Sequence, residues 1–217
     1  MGTRQPVDGP YGHEQPSESA VDLFWLPLGA GGRFVRLNGR LYERLVARWE
    51  GRPPRVLYHS ALEVRLPGRR FTIEMSWPVQ SGSGHTRGVM AEGHVGAHFL
   101  GRWRALRYEV RCWPDGTIPD VDWAVASPQR VSDDEHLARR IIELTPAVPT
   151  EVWGRDELGL GEMWNSNSIV SWLLERSGVP TSGIDPPPGG RAPGWNAGRA
   201  LARNAQNTDR GPVHEIR

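Results

Sequence analysis

An α+β domain, an antiparallel sheet flanked by a few helices, is the fold class this sequence predicts. Three observations carry it. Two extended segments with alternating polarity flank Pro67-Gly68, which reads as a β-hairpin. Two later segments begin with capping residues and continue with apolar residues at helical spacing. Ten Trp and a hydrophobic fraction of 38% supply a core, while 26 Gly and 19 Pro require many loops among 217 residues. That length predicts one domain with tails.

In chain order, residues 1–20 are polar and read as a disordered leader. The run from Val21 to Leu28 reads as a strand that ends in the glycine loop Gly29-Ala-Gly-Gly32. Asn38 opens a predicted helix through Leu41, Leu45, Val46 and Trp49, broken by Pro53-Pro54. The hairpin follows, over 55–66 and 71–76. In its second strand Phe71, Ile73 and Met75 point one way and Thr72, Glu74 and Ser76 the other. Residues 79–98 are Gly-rich and read as a long loop, and Trp103 to Trp113 as a strand closed by Pro114-Asp-Gly116. Ser132-Asp-Asp-Glu135 is a capping box for a helix carrying Leu137, Ile141, Ile142 and Leu144. A helix over 166–177 stops at Gly178. The Pro- and Gly-rich stretch after it loses order near 200, with a flexible tail over 201–217, although Trp195 offers a way for RAPGW to fold back on the core.

Composition excludes several functions. All 26 Lys-plus-Arg residues are Arg, as codon usage in a GC-rich genome produces, so no lysine can form a Schiff base or act as a general base. The single cysteine, Cys112, excludes an intramolecular disulfide and a cysteine zinc site, and its mid-strand position marks it as structural. A net charge of +1 gives no electrostatic case for nucleic acid or an anionic membrane. No apolar run is long enough for a signal or a span, so the expected location is cytoplasmic, with oligomeric state left open.

Two polar groups stand where chemistry needs them. His59 lies on a predicted strand and Ser166 at a predicted helix start, between Asn165 and Asn167. A helix N-terminus offers free N–H groups and partial positive charge. These suit either a cap or a nucleophile whose oxyanion they stabilise, with His59 as the general base. Glu74, on the paired strand's polar face, is the candidate orienter of His59.

The blocks Tyr58-His-Ser-Ala-Leu-Glu-Val64 and Asn165-Ser-Asn-Ser-Ile169 resemble the signature blocks of the PPPDE thiol peptidases. These belong with circularly permuted papain-like proteins, including NlpC-type and lecithin retinol acyltransferase-like ones. There a strand His precedes a nucleophilic Cys at a helix start, in blocks such as His-Thr-Gly-Val-Val-Val and Asn-Cys-Asn-Thr-Phe. The resemblance implies a permuted papain-like core over 21–200, with residues 79–150 as an insertion. It also implies Ser166 in place of the nucleophile, and binding roles for Trp164, Asn165 and Asn167. The chain as a whole also resembles proteins of GC-rich bacteria, which implies no activity. Serine is the important departure. A hydroxyl forms no stable anion beside imidazolium, so a serine enzyme has to deprotonate during attack.

Two functions follow from this reading. One is a non-catalytic, degenerate member that binds a peptide, protein or small molecule in the old cleft. The other is a serine-dependent amide, isopeptide or ester hydrolase using Ser166 and His59. Neither needs a cofactor. His94 and His98 stand four apart near Glu92, but Gly93 and Gly96 interrupt a helix there and no HExxH pattern exists, so no metal is expected. Gly29–Gly32 lacks the lysine of a P-loop and the spacing of a Rossmann turn. The Trp153-to-Glu157 stretch reads as a charged turn or a pocket wall.

Overall fold

The computed structural model of the chain describes residues 18–29, 43–78 and 88–210. Among them are seven strands: β1 (Ala20–Pro27), β2 (Val56–Leu66), β3 (Arg69–Ser76), β4 (Val89–His94), β5 (Arg107–Pro114), β6 (Gln129–Ser132) and the short β7 (Gly190–Arg191). The sheet order is β4-β5-β3-β2-β1-β6, every neighbouring pair antiparallel, with β7 pairing in parallel with the start of β2. The helices are α1, described over 43–49, α2 (Glu135–Leu144), α3 (Ser166–Ser177) and α4 (Trp195–Arg210). The α+β class holds.

The β2–β3 hairpin turns at Pro67-Gly68, with Leu66 opposite Arg69 and Gly68 at φ 68°, a left-handed conformation that glycine adopts without penalty. From that register one face of the sheet collects Val21, Leu23, Trp25, Tyr58, Leu62, Val64, Phe71, Ile73, Tyr108, Val110 and Cys112. α2, α3 and α4 pack on this face. Every residue of α3 from Ser166 to Leu174 is buried, which makes α3 the central helix of the domain.

Several expectations change. Asp134 caps α2 in place of Ser132, accepting from the N–H groups of His136 and Leu137, while the Ser132 hydroxyl accepts from Asp134 N. Residues predicted as a loop contain β4, and the presumed insertion over 79–150 supplies β4, β5, β6 and α2, integral parts of the sheet and core. The stretch after Gly178 orders into β7 and α4, with Trp195 in the core, so the predicted flexible tail is helical through Arg210. In α1 the buried side chains are Glu43 and Ala47, while Leu45 and Trp49 face solvent. Glu43 turns inward because Arg52, Arg191 and the Arg55 N–H all bind its carboxylate. The predictions for Asn38, Leu41, residues 30–32, 79–87, 1–17 and 211–217 fall outside the described residues.

α4 crosses α3 at close range. A Cβ on Gly198 would stand 2.0 Å from Ser168 O. Gly198→Ala should therefore destabilise the protein by about 3 kcal/mol, the upper range for overpacking. Gly183→Ala, with nothing within 4 Å of the added carbon, should stay within about 0.5 kcal/mol of the parent. Urea unfolding followed by Trp fluorescence measures both, and equal stabilities would contradict the close crossing.

Candidate functional site

The start of α3 is built from short polar side chains. Asn165, in extended conformation, is the N-cap, and its side-chain oxygen accepts from Asn167 N at 2.8 Å. Ser168 Oγ closes a capping box by accepting from Asn165 N at 3.1 Å, and donates to Gly194 O at 2.8 Å. Asn167 reaches further. Its Nδ2 donates to Tyr58 O and Pro193 O, both at 2.9 Å, and its Oδ1 accepts from Ser60 Oγ at 2.9 Å. Ser171 Oγ donates to Trp195 O at 2.7 Å. Trp164 is buried and its backbone pairs with Gly154 and Arg155. In the fold the Asn165 and Asn167 side chains hold α3 to β2 and to the 193–195 segment, while Trp164 is buried in the core.

Ser166 is the first residue of α3, 7% exposed, and its hydroxyl has no hydrogen-bond partner among the described residues. His59 does not approach it. Side chains alternate along β2, and Tyr58, Ser60 and Leu62 face α3. His59 therefore points to the opposite face, where it pairs in register with Leu26 beside Ala61. The expected Ser166–His59 dyad is not assembled, because the sheet itself lies between the two side chains. Glu74 shares the face of His59, as its strand parity predicts, and no hydrogen bond joins the two side chains among the described residues.

The face bearing His59 and Glu74 carries most of the strand charges. Arg65 and Arg130 bind the buried Asp22, and Arg70 binds Glu63. Across from Glu74 lies Arg111, whose guanidinium is directed to Glu109, with Nε at 2.9 Å and Nη2 at 2.5 Å from the same oxygen. Glu74, Glu109 and Arg111 are all buried. The Glu74 carboxyl has no hydrogen-bond partner among the described residues. Burial pushes it up to about 7, against the pull of Arg111. Burial likewise pushes His59 down to about 4, partly offset by Asp120, so its imidazole is neutral at pH 7. The Glu109–Arg111 pair was missed in the sequence, although two opposite charges two apart on a strand necessarily share a face.

In the 151–157 loop, Glu157 accepts from Val152 N at 3.0 Å, and the Tyr108 hydroxyl donates to Glu151 O at 2.8 Å. His94 and His98 meet at this loop, their Nδ1 atoms 3.4 Å apart. Among the described residues no set of three or more His, Cys, Asp or Glu side chains is arranged around one metal position.

No protein family, no curated protein and no solved structure matches this chain.

His59 and Glu74 pull the pH dependence of stability in opposite directions. His59 titrates at about 4 when folded, against 6.5 as its ordinary value. Below about 6.5 the unfolded chain takes up a proton the folded one does not, so stability falls with falling pH down to about 4. Glu74 titrates at about 7 when folded, against an ordinary 4.5. Above about 4.5 the unfolded chain releases a proton the folded one keeps, so stability falls with rising pH up to about 7. Each slope approaches ~1.4 kcal/mol per pH unit in its window. Relative to the parent, Glu74→Gln should tilt the stability profile upward with pH between 4.5 and 6.5, and His59→Gln should tilt it downward. Urea midpoints at several pH values read the tilt, and identical slopes in all three proteins would refute the opposition.

Proposed function

We propose that the protein is a non-catalytic binding domain, a degenerate relative of the permuted papain-like proteins. It takes a peptide or small molecule carrying an amine or other N–H donor on the polar face of its sheet, at Glu74. The observation that carries this reading is the alternation along β2, which leaves Ser166 without a base and His59 without a nucleophile. A general base must lie within hydrogen-bond reach of the proton it removes, directly or through one water. The order of the two blocks, strand His before helix Ser, is what the proposal retains of papain-like descent.

Positive support comes from Glu74. Its carboxyl is pushed up by burial beside the Arg111 guanidinium, and groups perturbed in this way concentrate at functional sites. A ligand N–H would donate to this carboxyl, while the Glu109–Arg111 pair beside it fixes the position of the neighbouring charge. With a net charge of +1, nucleic acid and membrane surfaces are not the partners proposed. Among the described residues no helix is long and apolar enough to cross a membrane, and a cytoplasmic location is part of the proposal.

Two measurements test it. A fluorophosphonate probe should leave Ser166 unlabelled, in the parent as in His59→Ala. A thermal-shift screen of primary amines and short basic peptides should yield ligands that raise the unfolding temperature of the parent but not of Glu74→Gln. Binding at 100 times Kd stabilises by about 2.7 kcal/mol. Labelling of Ser166 that depends on His59, or ligands that act equally on Glu74→Gln, would overturn the proposal.

A further inference from the structure

We infer that His94 and His98 form a two-nitrogen site for a divalent transition-metal ion of the zinc class, with water completing its coordination. The site lies at the end of the edge strand β4, two strands away from Glu74 on β3. His94 ends β4 and His98 begins the short 3₁₀ turn His98–Arg102, so strand and turn bring together two residues that no helix joins.

The separation decides between two readings of the pair. The Nδ1 atoms stand 3.4 Å apart, with ring planes at 75° and ring centroids at 5.5 Å. As a hydrogen bond between neutral imidazoles 3.4 Å is long, since N–H donors prefer about 2.9–3.0 Å. As a ligand separation it fits. Two nitrogens each about 2.0–2.1 Å from one tetrahedral ion stand about 3.3–3.4 Å apart.

The surroundings orient both rings. His98 Nε2 lies 3.3 Å from Glu157 Oε1, and the other oxygen of Glu157 accepts from Val152 N. Glu157 thus lies on the Nε2 side of His98, away from the Nδ1 that faces His94, and a carboxylate behind a ligating histidine is the usual outer partner of such metal ligands. His94 is placed by Gly101: a Cβ there would stand 1.7 Å from its Cδ2, so only glycine admits the ring. Its backbone is tied as well, because Trp153 N donates to His94 O at 2.8 Å and Gly96 N to Trp153 O at 3.1 Å. Glu92 faces Arg107 at 3.2 Å and is not a third ligand. His98 is largely exposed, which gives an ion entry and leaves coordination positions for water.

The test is calorimetric titration of the full chain with Zn²⁺ at pH 7.5, with Cu²⁺ electron paramagnetic resonance as a second readout. One equivalent should bind saturably, and the Cu²⁺ spectrum should show nitrogen coupling. His98→Ala, a change at an exposed side chain, should weaken Zn²⁺ binding at least ~30-fold, and Glu157→Gln by about 10-fold. Circular dichroism confirms that each variant is folded, and His98→Ala carries the test if His94→Ala is not. Absence of saturable Zn²⁺ binding, or one-equivalent binding that survives His98→Ala, would overturn the inference.

Discussion

The side chain of Asn167 holds the domain together at its centre. α3 is buried along its first nine residues, so water cannot satisfy the donors of its first turn. Asn165 and Ser168 satisfy them from within the helix. Asn167 instead bonds two neighbouring elements at once, the β2 backbone at Tyr58 and the loop carbonyl at Pro193, and receives Ser60 as well. Without it the Ser60 hydroxyl and Tyr58 O would lose this partner, at a cost of about 1–3 kcal/mol for each group left unpaired, while Pro193 O would keep the donor Asn165 Nδ2. The likeness of Asn165-Ser-Asn-Ser to a nucleophile block thus has a physical basis that requires no chemistry. A helix that begins inside a protein needs short polar side chains at its first turn whether or not one of them reacts.

The two faces of the sheet answer to different constraints. One meets α2, α3 and α4 through a continuous apolar layer. The other carries a small apolar cluster of Phe24, Leu26, Ala61 and Ile118 amid buried charges. Buried ion pairs such as Glu109–Arg111 add little net stability, because desolvation offsets their attraction. A face made this way is poorly explained by stability alone.

Much of this was legible in the sequence where periodicity was strong. β1, the β2–β3 hairpin, α2 and α3 follow from alternation, turn residues and caps. The position of His59 was legible too, though only from two strands together. Pro67-Gly68 sets Leu62 opposite Ile73, so even-numbered residues of β2 share the apolar face of Phe71 and Ile73. His59 then belongs with Glu74, on the side away from any helix packed on that face. Taken alone, β2 hides this parity because both of its faces are largely buried. β4 was obscured by Gly93, which reads as loop but is required because a Cβ there would stand 2.2 Å from the Tyr108 ring. α4 was obscured by its contact residues: Ala197, Gly198 and Ala202 are small because the helices nearly touch, so they lack the large apolar stripe that marks a packed helix.

Cys112 lies on β5 opposite Ile73, almost wholly buried, with its thiol pushed up to about 11 by that burial. It is the single cysteine of the chain. A thiol reagent therefore finds nothing to react with until the helical layer lifts off the apolar face, and the alkylation rate becomes a clock for opening of the core. The protein carries its own single-site reporter of breathing, placed at the junction of two inner strands without any engineered label.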